Sequence, residues 1–141
     1  MTDISNRRAV RLEWDGAGMR FAASGVEPES PMIVIDGDGV AGPSPMLTLL
    51  MAAAGCSGAD VVSILQKMRV TLRSFTVEVT GVRRKEHPRR YTEISFRFAL
   101  SGEGLNQEQA QRAVDLSLQK YCSVVQSLAP DITVRHEIEL T

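Results

Sequence analysis

The amino-acid sequence predicts an α+β fold, with mainly antiparallel sheet arranged around one long buried helix. Three observations carry this. Short strand patterns of four to twelve residues, bounded by Gly, Pro and Asp, occur on both sides of the chain's middle. Between them lies Ser44–Met68, whose first half is apolar on every side. A second helical pattern begins at Asn106 and is followed by a last strand. The order is β-β-β-α-β-β-α-α-β, with no internal repeat or boundary, so residues 1–141 read as a single domain.

Each element has its own justification. Residues 1–8 are polar and read as a frayed end. Val10, Leu12 and Trp14 alternate with Arg11, Glu13 and Asp15, the pattern of a half-buried strand. Asp15-Gly16 followed by Gly18 signals a hairpin. The returning strand is Met19–Ser24, and Met32–Ile35 is a third. DGDGVAGPS (36–44) opens like a calcium loop but lacks the later carboxylates, so it reads as a turn.

Ser44 can cap the long helix, and Pro45 fits its first position, where no N–H is needed. Met46–Cys56 is apolar except for Thr48, which demands burial on most sides. Beyond Asp60 the pattern turns amphipathic. At 1.5 Å per residue the segment would form a shaft ~37 Å long. Leu72–Arg83 and Tyr91–Ser101 then form a strand pair around the basic turn RRKEHPRR (83–90), read as solvated. Asn106 and Gln109 form a capping box for the second helix, whose stripe is Ala110, Ala113, Val114, Ser117 and Tyr121. KYCSVVQSLAP (120–130) continues as helix to a Pro stop, and Ile132–Leu140 alternates as the final strand.

Composition excludes several classes. Hydrophobic content of 43% and charged content of 23% are those of a globular protein. A net charge of −1 gives no basic excess for nucleic acid. The N-terminus has no signal-peptide core. The apolar run Met46–Gly55 is short for a bilayer span, and Asp60 interrupts the helix soon after it. A cytoplasmic location with no membrane partner is expected. Two cysteines there favour free or reactive thiols over a structural bridge.

Candidate chemistry narrows to those thiols. His87 lies in the basic turn and His136 on an apolar strand face, without the further His or Cys that a zinc site needs. No metal is expected. Gly55-Cys56-Ser57 lacks the strand-turn-helix context of a nucleophile elbow. Cys56 and Cys122 remain, each on a predicted helix. They read either as two small buried hydrophobes or as a reactive pair. Small neighbours around Cys56, and Lys120 and Tyr121 before Cys122, favour the second reading. Asp60 stands one helical turn after Cys56 on about the same face. A carboxylate there disfavours a thiolate, unless it serves to hold a cation.

VRLEWDG, then SPM-x-x-L-x-MAAAGCSGADVVSIL with Cys56, then RAVDLSLQKYCSVVQSL with Cys122, resemble the osmotically inducible protein C and organic hydroperoxide resistance (OsmC/Ohr) superfamily. The resemblance covers nearly the whole chain. It implies an OsmC-like fold in an intertwined homodimer, with sheets of both subunits wrapped around long central helices. It implies a peroxidase in which Cys56 is oxidised to a sulfenic acid and Cys122 then forms a disulfide with it. Organic hydroperoxides would be the substrates, a lipoyl-type dithiol the reductant, and no cofactor would be needed. The pocket would be lined by Met46, Leu50 and Met51. The family pattern has Asn-Pro-Glu where this chain has Ser44-Pro45-Met46, so the carboxylate that assists the first cysteine is absent. Its partner arginine is not fixed by the motif; Arg20, in the N-terminal hairpin, is a candidate. That departure keeps a second reading in play, a non-peroxidase that binds a small apolar or acyl ligand in the dimer cleft.

Overall fold

A computed structural model describes residues 6–141. The chain forms two compact units, one ending at Leu49 and one running from Leu50 to Thr141.

The first unit is a three-stranded antiparallel meander of β1 (Val10–Trp14), β2 (Arg20–Gly25) and β3 (Met32–Asp36), in that spatial order. Trp14 pairs with Phe21, and Phe21 with Ile35. The β1–β2 turn uses Gly16 at φ 92° and Gly18 at φ 55°, values that favour glycine. Trp14 Nε1 donates to the Gly18 carbonyl across it at 3.0 Å. The DGDG segment is a turn closed by its own backbone. The Asp36 carboxylate accepts hydrogen bonds from the N–H groups of Asp38, Val40 and Ala41. Those bonds, led by Ala41, hold its pKa below the ordinary carboxylate value. One expectation is corrected here. β1 is not half-buried within this chain, because Val10 is 80% and Trp14 61% exposed.

The long helix α1 (Pro45–Lys67) links the units. The Ser44 hydroxyl accepts from the Leu47 N–H, so the expected cap forms. The helix ends where Arg69, at φ 65°, turns the chain toward the next strand. At 23 residues α1 is long and apolar enough to cross a membrane by length and composition, a longer apolar window than Met46–Gly55 alone suggests. Its second half is built as a core helix. Val61 and Leu65 are fully buried, and Asp60 accepts a hydrogen bond from Ser117. The first half is less covered than its composition demands, with Leu47, Leu49 and Met51 exposed in the single chain.

The second unit holds β4 (Thr71–Arg83), β5 (Tyr91–Glu103) and β6 (Thr133–Leu140), ordered β4-β5-β6. β4 and β5 run antiparallel, while β6 returns parallel to β5. Alternate residues of β5, Ile94, Phe96, Phe98 and Leu100, are buried on one face. Phe96 stacks on Phe98, and Phe75 of β4 tilts against Phe98 at 6.2 Å. Gly58 of α1 faces the Phe75 ring, which a Cβ there would meet at 3.4 Å, an ordinary contact distance. α2 (Gln107–Leu116) starts at the expected capping box, with Asn106 and Gln109 each accepting from the other's N–H. The helical pattern does not continue unbroken. A π-helical turn spans Ser117–Tyr121, and a short α3 (Ser123–Ser127) follows.

At Gly102 of β5 the backbone of β4 comes close. A methyl added there would lie 2.5 Å from the Thr71 carbonyl oxygen, beside an irregularity in the strand register. Gly102→Ala is expected to destabilise the protein by about 1–3 kcal/mol, read from the urea midpoint. An unchanged midpoint would mean that the bulge absorbs the methyl.

Candidate active site

Three side chains that sequence scatters converge in the second unit. Cys56 sits mid-way along α1, and Asp60 follows one turn later on the same face. Cys122 arrives from the far side of the fold. The Cys56 and Cys122 sulfurs and an Asp60 carboxylate oxygen all lie within 4.8 Å of one another. Both thiols are free. Cys122 has no exposed surface, whereas Cys56 is half-buried.

The π-helical turn is what delivers Cys122. Its N–H reaches back five residues to the Ser117 carbonyl at 2.7 Å, the wide bond that defines such a turn. The turn then ends, and Cys122 takes an extended conformation (φ −70°, ψ 99°) as the cap of α3. The expectation that Cys122 lies on a helix is thus corrected; it lies at the junction between two helical segments. The Gln126 side-chain amide ties the junction down by donating to the Leu118 carbonyl at 3.1 Å. Ser117, fully buried, also donates its hydroxyl to Asp60 at 3.0 Å. One serine therefore fixes both the backbone behind Cys122 and the carboxylate beside the thiols.

Burial pushes the Cys122 thiol up to about 11. A hydrogen bond with Cys56 and the nearby Cys56 and Asp60 charges push the same way, against a backbone bond from Val125. Cys122 is therefore a neutral thiol near pH 7, able to donate its proton toward Cys56. Disulfide geometry needs sulfurs about 2.05 Å apart. A shift of under ~3 Å from the observed spacing closes the bond.

Along α1 runs an open apolar groove of about 600 Å³ lined by Ala54, Gly55, Gly58, Ala59, Val62 and Phe75, among others; Cys56 itself does not line it. The other expected pocket residues are placed as follows. Leu50 is buried and Met51 exposed, and neither lines this groove. Met46 is half-buried in the first turn of α1. Arg20 forms an ion pair with Asp15 at 3.0 Å. The basic turn has partners of its own, with Arg90 paired to Asp131 and Arg83 donating to the Arg89 carbonyl. His136 lies 3.0 Å from the Gln111 amide and 3.4 Å from Asp115, on the side of β6 that faces α2. Sequence reasoning noticed Asp60 by its spacing from Cys56 but not its union with Ser117. The stripe through Ser117 marked a packing face, and nothing in it signals a hydrogen bond to α1.

Comparison with known proteins fits this geometry. The profile of the family described as OsmC-like protein matches residues 36–137. The chain is 42% identical to protein YhfA of Escherichia coli K12 over 132 residues, covering 93% of this chain and 96% of that one. The crystal structure of a hypothetical protein from Aquifex aeolicus superposes with a TM-score of 0.82 at 28% identity, over 96% of this chain and 98% of that one. The organic hydroperoxide resistance protein OhrB of Bacillus subtilis shares the fold at 16% identity, with a TM-score of 0.58 over 96% of this chain and 98% of that one.

The raised Cys122 pKa has a consequence for stability. An unfolded thiol ionises near its ordinary 9.0, while the folded one holds its proton to about 11. Below pH 9 the two states bind the same proton, and no stability is lost. Between about pH 9 and 11 the unfolded state ionises first, so stability falls. In reducing buffer, the drop in urea midpoint from pH 8 to pH 10.5 should be smaller in Cys122→Ala than in the wild-type protein. Equal drops would show that Cys122 does not titrate this way.

Proposed function

The chain belongs to the OsmC-like protein family, and from that premise we propose that it is a thiol-dependent peroxidase acting on organic hydroperoxides. The observation that carries this reading is the pairing of one accessible and one buried thiol within 4.8 Å. Cys56, with solvent access, is the attacking group. Its thiolate takes the terminal peroxide oxygen, the O–O bond breaks, and the alcohol leaves with the electron pair and a proton. Cys56 becomes a sulfenic acid. The Cys122 thiol condenses with it, water leaves, and a disulfide forms. A dithiol of the lipoyl type returns both sulfurs to the reduced state, forming its own disulfide. Cys122 suits the resolving role, because a protonated thiol donates to the Cys56 thiolate before attack and lies close enough to bridge afterwards. Gly55, next to Cys56 in the chain, lines an open apolar groove that offers a place for an alkyl tail.

The same reading places the protein in the cytoplasm as a homodimer. Exposed apolar side chains on both units support the dimer. Val10, Leu12 and Trp14 on β1 and Leu47, Leu49 and Met51 on α1 are uncovered in the single chain. A second reading rests on Met46, which stands where the family pattern has its assisting glutamate. On that reading the groove binds a small apolar or acyl ligand without peroxide turnover.

Cumene hydroperoxide and a dithiol separate the two readings. The reduced protein should consume peroxide, and Cys56→Ser should reduce the rate to background. Cys122→Ser should complete one turnover and then hold a sulfenic acid trappable by dimedone. No peroxide loss above the Cys56→Ser control would sink the peroxidase reading. At micromolar concentration the protein should sediment as a dimer, and a stable folded monomer would contradict the assembly.

A further inference from the structure

Peroxide chemistry leaves the Asp60 carboxylate without a purpose. Next to Cys122, a carboxylate opposes ionisation of the buried thiol. Yet the fold holds it there, with Ser117 donating to it at 3.0 Å from a fully buried position. The three donor atoms converge from two segments, Cys56 and Asp60 from one face of α1 and Cys122 from the π-helical turn.

We propose that Cys56, Cys122 and Asp60 form a site for a zinc-class divalent cation. The donor set is two sulfurs and one carboxylate oxygen, which selects thiophilic ions over magnesium or calcium. Tetrahedral zinc with Zn–S bonds of about 2.3 Å places two thiolates roughly 3.8 Å apart. Here every pair of donor atoms lies within 4.8 Å, so the groups need close by no more than about 1 Å to reach that geometry. The support expected around a metal site is also present. Ser117 orients Asp60 through its hydroxyl and anchors Cys122 through its carbonyl. Cys56 and Asp60 are only half-buried, which leaves the ion a way in and a fourth position for water.

Binding is an exchange of protons for metal. Each thiol gives one proton to solvent, two S–Zn bonds and one O–Zn bond form, and nothing is oxidised or reduced. In that state both sulfurs are ligands, so neither can attack a peroxide or form a disulfide. Zinc therefore acts as a reversible block on the thiol pair. The site itself does not depend on the peroxidase reading, since metal binding is measured on the protein without turnover.

The test uses the reduced full-length chain. Cd²⁺ should produce thiolate-to-metal charge-transfer absorption that saturates at one ion per chain. Zn²⁺, titrated against a chromophoric chelator, should show the same stoichiometry. Cys56→Ser and Cys122→Ser should each weaken zinc binding by at least about tenfold, and Asp60→Asn by several-fold or more. Binding without charge transfer, or unchanged affinity in Cys56→Ser, would overturn the site. A measurement on the unaltered protein guards against a variant that misfolds. Saturating Zn²⁺ should slow iodoacetamide alkylation of Cys56 at least about tenfold, and EDTA should restore the rate. Alkylation indifferent to Zn²⁺ refutes the proposal. A protein that binds zinc in this way but consumes no peroxide would refute the peroxidase alone.

Discussion

Two hydrogen bonds made by a single buried serine set the geometry on which this site depends. The Ser117 carbonyl accepts from the Cys122 N–H at 2.7 Å, and its hydroxyl donates to Asp60 at 3.0 Å. The first bond spans five residues, so it widens the helix and releases the chain into an extended conformation at Cys122. The second ties that widened turn to α1. Without the wide turn, Cys122 would lie on the continuing helix, rotated away from its present direction. The serine's own burial makes both bonds matter, since a buried polar group left without partners costs about 1–3 kcal/mol.

The two thiols become unequal through their surroundings. Both are ordinary cysteines in sequence. Cys56 is half-buried on α1, between exposed Gly55 and fully buried Ser57; Cys122, just past the π-helical turn, is fully buried. Burial disfavours the charged form of Cys122, and the nearby carboxylate adds to this. A buried proton on one sulfur is a hydrogen bond available to the other. The asymmetry puts access on one side of the pair and a held proton on the other.

Much of the fold is legible in the residues alone, and the reasons differ by element. The strand at Leu72–Arg83 lies within one residue of β4, because Phe75, Val77 and Val79 on the half-buried face alternate cleanly with Thr76, Glu78 and Thr80 on the exposed one. The Asn106–Gln109 capping box is legible because it is local, needing only four residues to form. The π-helical turn is not. Its residues Ser117–Tyr121 continue the helical stripe, and the bond that widens it leaves no mark on periodicity. The exposure of β1 is also hidden, because alternation shows that two faces of a strand differ and says nothing of what covers either. Within the site, Cys56 and Cys122 stand out by residue type and by resemblance, while their proximity is a property of the fold.

Met46 brings no carboxylate to the start of α1, yet the thiols are not without one. Asp60 supplies one from within the same helix, one turn from Cys56 toward the C-terminus. Its effect is not the same. A carboxylate paired with an arginine is neutralised and can accept a proton or orient a substrate. Asp60 accepts a hydrogen bond from a neutral serine, so its charge is directed but not cancelled. A carboxylate within 4.8 Å of both sulfurs opposes the charged form of Cys122 and lowers the free energy of a bound cation. On the two proposals the same three groups serve states of opposite reactivity: with protons, a nucleophile and its resolving partner; with a divalent ion, a closed ligand set. Which state prevails is set by the free concentration of the ion against the affinity of the site.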